Sequence, residues 1–498
     1  MAVERLRDAK SHAASTADAS QATFGEYGAL VNGQWIKTGD AIDVRSPYDD
    51  SLVAIVHRAG PKEIEESIAK ATEAFETTRK MPVWKRAEIL ENISAGIKER
   101  HEDFARTIAL EAGKPIRTAR AEVDRAVFTF KVAAEESKRI YGEIVPLDWL
   151  PGMENRIAHI RRVSRGPVVG IAPFNFPLNL VAHKVAPALA AGNPIILRPA
   201  TQTPISALKL AEVVLEAGWP EGGIATYSCK TSDSDPLIED DRIKVLTFTG
   251  SPAVGWQLRS RAGMKMVTLE LGGNAGTIVH SDADIAYAAG RVAWGGFSYA
   301  GQSCISVQRV YVHGSQYEHF ADSFVPKVQA LKVGDPLDEA TDIGPVIDSG
   351  ASDRLHTWLE EAKRDGAAVL TGGEHDGTLW QPTVLASLEE SMSISCKEAF
   401  GPFVGLYPYQ DVMAAIDAVD TSDFGLQAGI FTNDVDLIET AFDRIEVGGL
   451  MVNDVSTFRV DHMPYGGVKQ SGFGREGLRY AIEEMTEMKL MMTHHRSQ

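Results

Sequence analysis

Cysteine is scarce: Cys229, Cys304 and Cys396 are the only three in 498 residues, and no two form a C-x-x-C pair. That spacing encodes neither a zinc knuckle nor a disulfide framework, so no metal site is expected and a reducing cytoplasm suits the chain. Basic residues are outnumbered, 50 Lys and Arg against 68 Asp and Glu, for a formal charge of −18. Nucleic-acid binding needs clustered cations to displace phosphate counterions, and this balance argues against it. Long hydrophobic runs are missing too. The most apolar stretch, Gly166 to Leu197, is broken by Pro167, Pro173, Pro177, Pro187 and Pro194 and carries Asn175, His183 and Lys184, which excludes a membrane span. The first 23 residues alternate charges with small polar residues, lack the apolar core of a secretory signal, and read as a loose tail. There is no fixed-period repeat, and the strand-to-helix turn at Gly250 lacks the GxGxxG fingerprint.

What remains is a chain with 44% hydrophobic residues, long enough for two or three domains. Tyr27 to Trp35 and Asp43 to Val56 alternate as strands do, and helical periodicity runs from Ile64 to about Arg139. Between Gly142 and Arg165 the pattern predicts two exposed strands joined by a turn at Pro151-Gly152, a candidate subunit contact. From Pro167 onward short apolar runs alternate with helices: Val168 to Ala172, a helix over Leu178 to Ala191, Ile195 to Leu197, and a second helix over Pro204 to Ala217 with Thr203 as N-cap. Further strands at Ile224 to Tyr227 and Val245 to Thr249 complete the pattern of a doubly wound parallel sheet. A second alternation runs from Thr277 to about Val452, with strands at Thr277 to Val279, Val307 to Val312, Ala368 to Leu370 and Ala428 to Phe431.

Three short segments carry chemistry. In IKVLTFTGSPAVG a strand meets Gly250, Ser251 can cap a helix and Pro252 can open it, leaving N–H groups suited to a pyrophosphate. Alone this is also what any well-made cap looks like. Cys304 in YAGQSCISVQR is a lone thiol between a helix and a strand, and Glu270 in VTLELGGN is a carboxylate at a strand end. Singly they read as a small buried hydrophobe and a solvated strand end. Together, a thiol, a carboxylate and a dinucleotide cradle match what thiol-based oxidation of a carbonyl needs.

These segments resemble the NAD(P)-dependent aldehyde dehydrogenase superfamily over nearly the whole chain. PFNFP (Pro173 to Pro177), KVAPALAAGNPIILRPA (Lys184 to Ala200), FTGSPAVG, LELGG (Leu269 to Gly273), GQSC, KEAFGP (Lys397 to Pro402), FGLQAGIFT (Phe424 to Thr432) and PYGGVKQSGFGREG (Pro464 to Gly477) occur in family order. Glu270 and Cys304 lie 34 residues apart, as base and nucleophile do in hydrolytic members.

The resemblance implies an α/β fold: a Rossmann-like cofactor domain over 24–141 and 165–271, an α/β catalytic domain over 272–453, and a protruding β oligomerisation element. That element is the 142–164 hairpin joined by a C-terminal strand near Met488 to Met492, with a substrate loop also inside 454–498. A homodimer or homotetramer follows. It makes Cys304 the nucleophile, whose thiol pKa, about 8.5 when free, its surroundings must lower. Asn175 and the Cys304 N–H resemble the oxyanion hole, and Glu270 the base that activates the deacylating water. Glu398 and Phe400 match the residues that hold the nicotinamide and its ribose, Gly250 and Ser251 the pyrophosphate contact, and Leu271 and Gly272 line the cofactor while Pro173 and Phe174 flank the groove. Acylating members, in which coenzyme A resolves the thioester, usually lack the Glu270 base. A structural protein of the same fold has no need of the Asn175, Glu270 and Cys304 set.

Two departures bear on the cofactor. Arg198 stands where many members have Lys, and Thr201 where NAD-preferring members have Glu; Thr cannot repel a 2′-phosphate and Arg can pair with it, so NADP is expected ahead of NAD. For the substrate, Asn179 and His183 share one helix face and can hydrogen-bond, and Ser303 adds a hydroxyl. Phe176, Phe458 and Tyr465 join them as candidate substrate residues, and because GQSCISVQR and the 453–487 segment resemble lactaldehyde- and glyceraldehyde-oxidising members, a small hydroxyaldehyde of that kind is expected. Arg459, in STFRVDHMPYGG, points instead to an anionic aldehyde, unless it is spent in a surface ion pair with Asp461 or another carboxylate.

Overall fold

The computed structural model describes residues 19–495, so residues 1–18 of the expected tail lie outside the described residues; Ala19–Gln21 form a short 3-10 turn, and the Thr23 N–H already donates to the Leu52 carbonyl at 3.2 Å. Among the described residues, eight strands form the first sheet, in the order Gly472–Phe473, Met266–Glu270, Val245–Thr249, Val168–Ile171, Ile195–Arg198, Ile224–Thr226, Ala29–Val31 and Gln34–Ile36. The five central strands are parallel. Their sequences VVGI, IILR and VLTFT are apolar without alternation because helices cover both faces. Numbered along the chain these five lie in the order 3-2-1-4-5, so the winding reverses between Val168–Ile171 and Val245–Thr249. Ligands of doubly wound sheets bind in the crevice that such a reversal opens at the strands' carboxyl ends.

The second sheet runs Ala368–Thr371, Thr383–Ala386, Phe403–Tyr409, Val307–His313, Ala275–Val279, Gln427–Phe431 and Gly449–Val452. All its pairs are parallel except the outermost, where Ala368–Thr371 turns antiparallel against Thr383–Ala386. A third, antiparallel sheet joins Glu143–Pro146 and Arg156–Ser164 to the C-terminal strand Thr486–His494, which pairs along the whole length of Arg156–Ser164. Around it Ile144, Trp149, Leu150, Met488, Leu490 and Met491 are exposed. No helix among the described residues is long and apolar enough to cross a membrane.

The two helices that link the first three parallel strands begin differently from the sequence reading. The second spans Ile205–Glu216; Pro204 takes the cap position, and Thr203 does not cap it but donates its hydroxyl to the Phe174 carbonyl at 3.3 Å. The open N–H groups of Ile205 and Ser206 donate to the Glu111 carboxylate at 2.7 and 3.0 Å. The first helix, Asn179–Ala190, starts likewise under Glu122, whose Oε1 accepts the N–H groups of Leu178 and Asn179 at 3.0 and 3.1 Å. Both starts are buried, where an unpaired N–H is expensive, so remote carboxylates replace the local cap. Glu111→Ala is expected to destabilise the chain by about 1–3 kcal/mol, read from denaturant midpoints, with Glu111→Gln costing less because its amide oxygen still accepts. Equal midpoints for wild type and Glu111→Ala would deny the capping role.

Candidate active site

The strand Val245–Thr249 delivers Gly250 and Ser251 to the crevice at the winding reversal, ahead of the helix Pro252–Arg261. Ser251 occupies the N-cap position with extended backbone, but its hydroxyl makes no cap bond, contrary to the expected capping, and no acidic residue lies in the first turn. The N–H groups at that start stay open to an anion. Gly250 is pinned by its N–H to the Glu270 carbonyl at 3.0 Å, and a Cβ there would stand 2.6 Å from the Phe248 ring.

The neighbouring strand Met266–Glu270 runs into Leu271, whose N–H donates to the Ser471 carbonyl at 2.9 Å, and Gly272, whose carbonyl accepts the Ser471 hydroxyl at 2.7 Å. A Cβ on Gly272 would lie 2.4 Å from Glu398 Oε2, so only glycine lets that carboxylate approach. Glu398 accepts the Gly273 N–H at 2.9 Å; burial pushes its carboxyl up to about 7, opposed by that bond and by nearby Arg354. Phe400 adopts φ +47° and packs edge-on against Phe174, ring centroids 5.8 Å apart. Pro173 and Phe174, half-buried, follow the first strand of the reversal. On the adjacent strand, Arg198 donates to Thr231 Oγ1 at 3.3 Å, and Thr201 is half-buried. Open amides, side-chain-free cradles at Gly250 and Gly272, and an acceptor at Glu398 fit a dinucleotide.

Beside this groove lies a cavity of about 800 Å³. Its walls bring together Asn175, Phe176, Asn179, Ser303, Cys304, Phe458, Arg459 and Tyr465, together with Arg117, Arg125 and Lys327. Cys304 follows three successive left-handed residues, Tyr299 (φ 50°), Ala300 (φ 52°) and Gly301 (φ 67°). Such backbone persists where its surroundings over-determine it. Tyr299 Oη donates to the Ala112 carbonyl at 2.8 Å, Gln302 accepts the Ile347 N–H at 2.8 Å and donates to the Pro345 carbonyl at 3.2 Å, and Asn175 Nδ2 donates to the Gln302 carbonyl at 2.9 Å. The Asn175 amide keeps a second N–H.

Cys304 Sγ lies 3.0 Å from Tyr465 Oη. The surroundings do not lower the thiol pKa as expected. Burial pushes it up to about 12, Glu398 and Glu270 add to the rise, and the Tyr465 contact and Arg459 oppose it. Glu270 is not solvated: it is 3% exposed, and neither carboxylate oxygen has a hydrogen-bond partner among the described residues. Burial, then the nearby Glu476, raise its carboxyl well above the ordinary value, opposed by Arg459 and Lys184.

Two substrate expectations change. Asn179 and His183 do share a face, but that face meets Asp461. The Asn179 amide donates to Asp461 Oδ1 at 3.1 Å and His183 Nε2 lies 2.8 Å from the same oxygen; His183 does not line the cavity. Arg125 completes the cluster at 2.7 Å, and these partners hold the Asp461 carboxyl well below the usual range. Arg459 makes no surface pair with Asp461. Its side chain is 7% exposed, donates to Glu476 at 3.0 Å and stacks 3.6 Å over the Tyr465 ring, while its Nε has no partner among the described residues. Arg125, Arg354 and Glu476 escape sequence reading because each looks like an ordinary surface charge until tertiary contacts are known.

The family model described as Aldehyde dehydrogenase family matches residues 35–491. The chain is 45% identical to the 3-sulfolactaldehyde dehydrogenase of Priestia megaterium, over 94% of this chain and 98% of that protein. It is 38% identical to the lactaldehyde dehydrogenase of Methanocaldococcus jannaschii, over 93% and 99%. The crystal structure of the glyceraldehyde-3-phosphate dehydrogenase GapN from the same organism, complexed with NADP, superposes with a TM-score of 0.88 at 37% identity, covering 91% of this chain and 99% of that one. The reversed doubly wound sheet, the groove at its reversal and the adjoining thiol-bearing cavity are thus those of a known enzyme family: the chain belongs to the aldehyde dehydrogenase family, oxidoreductases that use NAD(P).

Proposed function

We propose that the chain oxidises a short aldehyde bearing an anionic group, a sulfonate, phosphate or carboxylate, to the carboxylic acid with NADP. The Cys304 thiolate attacks the aldehyde carbon, and the remaining Asn175 N–H with the Cys304 backbone N–H holds the resulting oxyanion. A bound NADP supplies the hydride acceptor. Glu270, buried and without partners, takes a proton from the water that resolves the Cys304 thioester. Residues 24–141 and 165–271 would hold the cofactor and 272–453 the thiol, and the exposed apolar residues of the third sheet would join copies as a homodimer or homotetramer.

The observation that carries the substrate reading is the pair of guanidinium groups, Arg125 and Arg459, in the wall of the cavity that holds Cys304. Each has donors left after its carboxylate pair, and guanidinium forks match sulfonate, phosphate and carboxylate. The neutral hydroxyaldehyde reading drew on Asn179, His183, Ser303 and the resemblance of nearby segments; His183 is held on Asp461 away from the cavity and Asn179 gives one N–H to the same oxygen, while Ser303 still offers a hydroxyl partner for a 2-hydroxyl group. Sulfolactaldehyde and glyceraldehyde 3-phosphate should exceed lactaldehyde in kcat/KM by at least about tenfold, or ~1.4 kcal/mol, in a panel run with both cofactors. Lactaldehyde in front would return the reading to the neutral substrate.

NADP is favoured by Arg198 and by the absence of a carboxylate at Thr201. Thr201→Glu should raise the KM for NADP far more than that for NAD, because a carboxylate there repels a 2′-phosphate and accepts from free ribose hydroxyls. Equal effects on both cofactors would place residue 201 away from the ribose.

A further inference from the structure

We propose that Tyr465 is a catalytic residue: its hydroxyl donates a hydrogen bond to the Cys304 thiolate and so stabilises the reactive form of the nucleophile. The inference rests on the assignment of Cys304 given above.

Tyr465 Oη and Cys304 Sγ are 3.0 Å apart. In the resting thiol either group can donate. Once the thiol loses its proton to solvent through the cavity, only the tyrosine has a hydrogen to give, and the contact becomes a bond to a full charge, the stronger kind. The phenol keeps its proton: burial first, then the neighbouring Cys304, hold its ionisation well above the ordinary value.

The rest of the ring's environment favours donation. The Arg459 guanidinium sits 3.6 Å over the ring centroid, where a cation draws density from the π system and makes the O–H a better donor. Glu476 fixes both partners. Its carboxylate accepts from Arg459 at 3.0 Å, its N–H donates to the Tyr465 carbonyl at 2.6 Å and its own carbonyl accepts the Tyr465 N–H at 3.1 Å. Ile305 and Leu426 pack against the ring and leave it no other seat. Nothing else in the described structure hydrogen-bonds Cys304 Sγ, so in a pocket that pushes the thiol up to about 12 the Tyr465 hydroxyl is the hydrogen-bonding counterweight, beside the charge of Arg459.

The test is the pH dependence of iodoacetamide alkylation, mapped by mass spectrometry on the full-length protein without aldehyde. The exposed Cys396 serves as internal control. Tyr465→Phe removes one oxygen and should raise the midpoint for Cys304 by at least about one pH unit, about tenfold slower alkylation at any pH below it, and leave Cys396 unchanged. Cofactor binding should persist, which a collapsed site would not allow. A Cys304 midpoint that stays in place or falls in Tyr465→Phe overturns the proposal. Aldehyde turnover measured in parallel on Cys304→Ala keeps the two readings apart: survival there refutes the nucleophile, whereas loss there with an unmoved Tyr465→Phe profile refutes the tyrosine alone.

Discussion

Cys304→Ala should reduce aldehyde-dependent NADPH formation to background while NADP still binds, because the groove built on Gly250, Gly272 and Glu398 does not use the thiol. Glu270→Gln should behave differently. It can still acylate, so a single burst of NADPH, stoichiometric with sites, should precede a stall at the Cys304 thioester. The pH dependence carries the sign of the carboxyl shift. Burial raises the Glu270 pKa well above the ordinary value, so at low pH the group is protonated and cannot accept a proton from water. Steady-state turnover in wild type should therefore rise with pH until Glu270 ionises, and Glu270→Gln should flatten that rise. Rapid-quench and stopped-flow measurements decide this; near-normal turnover in Cys304→Ala, or no burst in Glu270→Gln, would reject the assigned roles.

Arg459→Ala should divide the substrates. Whatever Arg459 does for Tyr465 is common to every aldehyde, so the ratio of kcat/KM for sulfolactaldehyde to that for lactaldehyde isolates its pairing with the anion. That ratio should fall by about 10- to 100-fold, as expected for losing a charge-assisted bidentate contact of roughly 1.5–3 kcal/mol. Arg125→Ala should shift it in the same direction. An unchanged ratio in both variants would leave the two guanidinium groups as internal braces for Glu476 and Asp461 and favour a neutral substrate.

Much of the fold is legible in the sequence because strands buried on both faces write themselves as short apolar runs. VVGI, IILR and VLTFT are separated by helices of regular period and are followed within two residues by Pro173, Pro199 and Gly250. The Arg156–Ser164 strand is legible from Ile157, Ile160 and Val163 set among polar residues after the Pro151-Gly152 turn, whereas its C-terminal partner is expected from the family resemblance alone. Side-chain pairing is not legible. The four-residue spacing of Asn179 and His183 sets a common face, yet which group meets that face depends on Asp461, 278 positions from His183. The same holds for Thr203, whose cap position is overridden by Glu111. The thiol's surroundings are likewise a property of the folded cavity: four residues before Cys304, Ala300 does not announce a positive φ.

The two glutamates that close the helix starts also tie both helices to an earlier part of the chain. Neither the Asn179–Ala190 nor the Ile205–Glu216 helix supplies its own first-turn acceptor, so each is complete only when the segment carrying Glu111 and Glu122 has docked against it. Synthesis runs from the N-terminus, and those carboxylates leave the ribosome before the helices they serve. The segment ahead of the doubly wound sheet therefore works as a jig for it. A chain restarted after residue 165, or circularly permuted so that Glu111 and Glu122 emerge last, should fold more slowly and expose unfinished helix ends while it waits.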